Sequence, residues 1–313
     1  MPITDVRLGQ FNNAGDPLAG FLKIFGGEVY TEFEKSTQFK DKHIMRPIEN
    51  GRSASFPLIG GTTVQLHTPG TQITTDVIPQ NETIINVEGK VTSSVAIPDI
   101  DEAMLHYEVR GPFSREIGMS LAEYYDYNVA LSILLAARGA SQVTGRAGGT
   151  ALTNAAYATT GSTLADGLFA AAEALDTKRV PSGERWAAFR PAQYYLLTRL
   201  ADFTSIDKRG TADLSQGTID TAAGIKIMKV LKTPGTNEIA NAKLPAHLKI
   251  DASVTTGLVW TQPAAGSVQL MALQQEAERR IDYQDYLIVA SYVAGWNRLR
   301  SDCAVELRTG APA

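Results

Sequence analysis

Residues 81–97 read NETIINVEGKVTSSVAI, and along this stretch apolar and polar side chains alternate. Ile85, Val87, Val91, Val95 and Ile97 fall on one face, with Gly89 and Ser93 as small fillers. Glu82, Asn86, Glu88, Lys90, Thr92 and Ser94 fall on the other, with Ile84 and Ala96 as exceptions. A period of two over this length predicts extended strand with one face to bury. Ser53–His67 supplies a partner limb, with Phe56, Leu58, Val64 and Leu66 on alternate positions. Pro57 and the Gly60–Gly61 pair interrupt that limb and make it an edge-type strand. An isolated two-stranded hairpin is marginal in water. Limbs of about 15 residues, at roughly 3.3 Å each, reach on the order of 50 Å, more than a domain of this size needs. The expected cover for the apolar face is a neighbouring subunit.

The chain has 313 residues, 44% of them hydrophobic, which suffices for one large domain or two smaller ones. With 33 acidic against 29 basic residues the net charge is −4, which excludes a globally basic nucleic-acid binder. Cys303 is the single cysteine, so there is no intrachain disulfide. The first twenty residues lack the charged start and apolar core of a secretory leader, and the longest apolar run, Val129–Ala137, is too short to span a bilayer. The expectation is a soluble protein, made in the cytosol, with no membrane partner.

Asp16–Pro17 reads as a helix start, followed by an apolar face of Leu18, Phe21, Leu22, Phe25, Val29 and Phe33. Two readings of this helix stay open: it packs on its own core, or it is a terminal arm that docks on a neighbour. Gly26–Gly27 is expected to weaken its middle. Residues 34–52 lean basic and the return limb leans acidic, a distribution that suits solvated faces and also docking onto copies of the same chain. Asp99–Val109 reads as a short helix. The longest helical pattern runs from Phe113 to Ala140, with Ile117, Leu121, Tyr124, Tyr125, Leu131 and Leu135 at three- and four-residue steps and Asn128 as a polar intruder. Gly139–Gly161 reads as a loop, and Thr163 with Asp166 as a capping-box start for the next helix. Beyond it lie a strand, a proline break and a helix over Arg185–Leu200, then strands in GIKIMKVLKTP, HLKIDAS, TTGLVWTQ and SVQLMALQQEAERR, and a final β-rich segment through Arg308. The class is α+β, with strands from distant parts of the chain sharing sheets.

The search for chemistry is largely negative. Gly51-Arg-Ser53-Ala-Ser55 lacks the last glycine of a nucleophile elbow and the helix that should follow it. Gly89-Lys90-Val91 lacks the rest of a phosphate loop. His43, His67, His106 and His247 show no metal-ligand spacing. Asp99-x-Asp101-Glu102 lacks the glycine and the terminal glutamate of a calcium loop. No catalytic, cofactor-binding or metal residues are assigned, and no cofactor is expected.

Several stretches together carry a family resemblance: Gly20–Tyr30, His43–Arg46, Gly51–Pro57, Thr68-Pro-Gly70, Pro98–Arg110 running into the long helix, Ala223–Ile227, and Glu276–Arg280 through Arg300. Their order and spacing resemble the major capsid (head) proteins of short-tailed, podovirus-type bacteriophages. The resemblance implies the tailed-phage capsid fold, shared with herpesvirus and encapsulin shells. It implies an N-terminal arm at 1–46, an extended hairpin loop at 47–98, a peripheral domain with a spine helix at 99–183, an axial domain at 184–260, and a return to the peripheral domain at 261–313. It further implies self-assembly into hexamers and pentamers of an icosahedral head in the virion. Assembly would take place in the host cytoplasm with a scaffolding protein and a portal, around double-stranded DNA held by weak contact, with a decoration protein as a candidate partner. Phe21, Phe25, Arg46, Arg52, Phe56, Leu58, Ile85, Val87 and Val91 are the expected intersubunit contacts. Residues 139–165 depart from the family pattern, as does Ser301, where relatives often carry proline. The alternatives are an encapsulin-type compartment shell and, from another class, a hydrolase using Ser53 or Ser55.

Overall fold

A computed structural model describes residues 19–62, 64, 66–70, 72, 75, 77–98, 110–181, 183–200, 219 and 221–312. The chain divides into two compact units. Unit one comprises Met1–Gln38, Gly89–Tyr125 and Leu270–Ala294; unit two comprises Phe39–Glu88, Asp126–Gln269 and Gly295–Ala313.

In unit one, helix α1 (Ala19–Ser36) crosses the first half of helix α2 (Arg110–Ala137). The crossing is close because position 118 is glycine: a Cβ there would stand 2.9 Å from the Val29 carbonyl oxygen. Beside it, the Ser114 hydroxyl donates to Glu28 Oε2 at 2.9 Å. The helices pack on a sheet in which β4 (Lys90–Pro98) runs antiparallel to β11 (Asp285–Arg298), and β11 lies next to β10 (Ala265–Arg280). Tyr292 on β11 joins the layers. Its ring lies 5.9 Å from that of Phe33 and 6.1 Å from that of Tyr125, and its hydroxyl donates to the Leu121 carbonyl.

Unit two is built on a six-stranded sheet in the order β5-β12-β9-β6-β8-β7. Its strands are β5 (Thr150–Thr153), β6 (Arg185–Phe189), β7 (Thr221–Ala222), β8 (Ile225–Lys229), β9 (Thr255–Thr261) and β12 (Ala304–Arg308). The second half of α2 is buried nearly all round from Asn128 onward, as its run of apolar residues requires. Helix α3 (Gly161–Thr177) turns Leu164, Leu168, Ala171 and Leu175 inward, and helix α4 (Pro191–Thr198) starts on its proline. Strand β1 (Ile44–Pro47) runs parallel to the first residues of β10, from Ile44 opposite Gly266 to Pro47 opposite Gln269. Strands β2 (Ser53–Ile59) and β3 (Gln80–Asn86) form a separate antiparallel pair, from Ser53 opposite Asn86 to Ile59 opposite Gln80.

Several expectations are corrected. The alternation over 81–97 is one pattern in sequence and two strands in space. The chain leaves the hairpin at Val87–Gly89, and β4 pairs with β11 in unit one instead of lengthening the hairpin. Period two identifies strand but not partner, and Gly89 interrupts it. Helix α1 is continuous through Gly26–Gly27. Helix α3 begins at Gly161, with Thr160 at the N-cap and no side-chain cap bond, rather than at a Thr163 box. The small-residue stretch after α2 contains strand β5, held parallel to β12 from Thr150 opposite Val305 to Thr153 opposite Arg308, a pairing no local pattern announces. HLKIDAS forms a single 3₁₀ turn at Ala246–Leu248 and one bridge at Asp251 in place of a strand. The final segment breaks at a 3₁₀ turn, Ser301–Cys303, before β12. The expected helix at Asp99–Val109 and the Asp16–Pro17 start lie outside the described residues.

Candidate assembly interface

Alternation divides the β2–β3 pair into two faces. On the inner face Ala54, Phe56 and Ile85 join Val268 and Leu299 in one buried cluster, with Ile44, Ile48 and Val87 partly buried against it. Ile85 is fully enclosed by residues of its own chain. This corrects the expectation for Ile85, Phe56 and Leu58, whose side chains are covered within the subunit and are not surfaces held for a neighbour. Val87 is half-buried at the edge of the same cluster. Val91 is half-buried on β4, opposite Tyr292.

The outer face carries Ser53, Ser55, Pro57 and Ile59 on β2 and Glu82, Ile84 and Asn86 on β3, all exposed. Beyond it, in the connection from β2 to β3, Val64 is 98% and Leu66 100% exposed, and Val77 is also bare. Arg46 and Arg52 are exposed. Arg46 donates to the Ser55 carbonyl at 3.0 Å and lies 6.0 Å from the Phe56 ring centroid, so its charge is held at the hairpin. Phe21 and Phe25 fall in α1, and their side chains lie outside the described residues. Sequence reasoning found the hairpin and expected its inner face to await a neighbour, whereas residues of the same chain cover that face. Ile59 and Ile84, at polar positions of the alternation, are the sequence signal for apolar side chains on the exposed face.

The titratable groups of unit two are built into packing. His43 is buried, with Nδ1 2.7 Å from the Phe39 carbonyl and Nε2 2.8 Å from the Ser267 hydroxyl. The carbonyl can only accept, so Nδ1 carries the proton and Nε2 accepts from serine. Burial pushes the imidazole down to about 4, against the opposing pull of the Phe39 carbonyl and Asp41. Burial also raises the Cys303 thiol to about 11, which makes it a poor nucleophile. Burial alone would raise the Glu238 carboxyl, yet hydrogen bonds from Thr236, Asn241 and Tyr127 bring it below its ordinary value. A cavity of about 310 Å³ lies between Leu58, Ile59, Val143, Arg146, Arg300 and Asp302, but Arg300 is spent on Asp302 at 2.6 Å. Among the described residues no three of His, Cys, Asp and Glu gather as metal ligands, and no histidine hydrogen-bonds to Ser53 or Ser55.

The chain is 31% identical to the major capsid protein of Enterobacteria phage T3, an alignment that covers 95% of this chain and 93% of the relative. It is 29% identical to the major capsid protein of Escherichia phage T7, covering 93% and 92%. The solved capsid structure of cyanophage P-SCSP1u superposes with a TM-score of 0.78 at 37% identity, over 99% of both chains. The fold is that of tailed-phage capsid proteins, as the resemblance implied. With residues 55–308 matching the family model described as Gp10A-like, major capsid protein, the chain belongs to that family of phage capsid proteins.

Proposed function

We propose that many copies of this chain, grouped as hexamers and pentamers, close into an icosahedral head around double-stranded DNA. The observation that carries this reading is the outer face of the β2–β3 pair with its bare apolar extension, Ile59, Ile84, Val64, Leu66 and Val77. Exposed apolar side chains concentrated on one element support an interaction surface there. We take 1–46 as an arm, 47–98 as the loop that reaches a neighbour, 99–183 with 261–313 as the peripheral part and 184–260 as the axial part around the capsomer centre. The exposed Arg46 and Arg52 supply charge for the contact, and Phe21 and Phe25 an apolar arm. Assembly is expected in the host cytoplasm, with closure drawing on a scaffolding protein and a portal and with a decoration protein as a further candidate partner.

Light scattering and negative-stain microscopy of the purified protein, alone and with scaffold, test the reading. Capsomers or closed shells are expected, and a strictly monomeric species in both conditions would refute it. A net charge of −4 offers few clustered cations for phosphate neutralisation, so the subunit is expected to contact DNA weakly and let it slide during packaging. Nucleic acid inside native particles distinguishes a genome-filled head from an enzyme-filled compartment. The role is structural, and the exposed Ser53 and Ser55 are expected to give no turnover in a broad hydrolase assay.

A further inference from the structure

The return limb of the hairpin passes very close to β11. A Cβ at position 295 would stand 2.0 Å from the Asn86 carbonyl oxygen and 3.1 Å from Val87 Cα, so only glycine admits the turn there. Beside this contact stands His247, in the 3₁₀ turn Ala246–Leu248. Its Nε2 lies 2.8 Å from the carbonyl oxygen of Trp296, and its Nδ1 lies 3.7 Å from Glu88 Oε1. The imidazole therefore bridges the strand that follows Gly295 and the turn that leaves the hairpin. A carbonyl accepts and never donates, so Nε2 carries the ring proton and neutral Nδ1 turns a lone pair toward the carboxylate. Two acceptors facing each other do not bond, and 3.7 Å is longer than a hydrogen bond though within reach of an ion pair.

We propose that His247 and Glu88 form a proton-operated latch at the root of the assembly hairpin. When the imidazole takes its second proton, Nδ1 becomes a donor and closes a charge-assisted bond to Glu88. The return turn is then held from two sides instead of one. Glu88 is the one charged partner of His247 within ion-pairing distance among the described residues. Arg298, on the same strand as Trp296, directs its guanidinium to Gly139 instead, and Lys249, two residues along from His247, makes no ion pair with Glu88. Both latch side chains remain about one-third exposed, so protons reach them without unfolding. The sign follows: a histidine that gains an anionic partner contributes in acid, and the contribution is lost as pH rises through its titration. The last rung of the hairpin, Val87 N–H to the Arg52 carbonyl at 2.8 Å, is one residue from Glu88 and reports its freedom.

The latch rests on the hairpin's role in assembly, yet its test needs only the unassembled subunit, so the two can fail separately. Exchange of the Val87 amide, corrected for its intrinsic pH dependence, should slow about two- to threefold from pH 7.5 to 5.5, the range of a part-exposed ion pair. That slowing should vanish in Glu88→Gln. It should vanish also in His247→Gln, whose amide nitrogen can keep the donation to Trp296 and so separates the latch from the clamp. The same Val87 slowing in all three proteins, or no slowing in wild type, would overturn the proposal.

Discussion

At the scale of single residues, position 85 separates a subunit core from a subunit surface. Ile85 is enclosed by its own chain, so Ile85→Asp places an unpaired charge in the cluster of Phe56, Val268 and Leu299. It should cost several kcal/mol and lower the melting temperature of the unassembled subunit sharply. Ile85→Val should cost only about 0.5–1.5 kcal/mol. Urea unfolding of the two variants checks both. His43 predicts a pH dependence. Folding holds its imidazole near 4, below its ordinary value, so between those values the unfolded chain binds the proton and the folded chain does not. Stability should be flat with respect to this group above about pH 6.5 and fall as pH drops toward 4. The loss is on the order of 3 kcal/mol. Unfolding measured across that window, in wild type and in His43→Gln, tests it; a loss of equal slope in the variant would assign the effect to other groups.

At the scale of elements, the end of α2 is fixed by one charge network. Just past the helix, Arg138 donates from Nε and Nη2 to Glu306 on β12 at 2.8 and 2.6 Å, and from Nη1 to the Asp251 carbonyl at 2.5 Å. The Thr255 hydroxyl on β9 donates to the same carboxylate at 2.7 Å. Glu306 is fully buried, so Arg138→Met strands its charge and should cost about 3–5 kcal/mol by chemical denaturation. Adding Glu306→Gln should recover part of that loss, because the uncompensated charge is then gone. Apolar periodicity made α2 legible in the sequence. The arginine at its end and the glutamate on the last strand were not, because 168 residues separate them and neither lies in a local pattern.

At the scale of the whole molecule, the contacts that build a shell must come from surface the subunit leaves open. Ile84→Asp and Ile59→Asp alter the outer face of the hairpin, where both side chains are exposed, and should leave the unfolding midpoint near wild type while particle yield collapses. Sedimentation of assembly mixtures beside thermal unfolding reads both effects, and normal particle yield would place the contact elsewhere. The sequence by itself determined the α+β class, the strand character of 81–97, the long helix and the family resemblance, because periodicity and ordered motifs are local or serial properties of the chain. Tertiary structure alone decided that β4 leaves the hairpin for β11, that β5 lies against β12, and that Ile85 faces its own core. Each of these is a choice of partner among distant segments. Alternation states that a face will be buried, but what covers it is settled only when Val268 and Leu299, about two hundred residues later in the chain, fold back onto it.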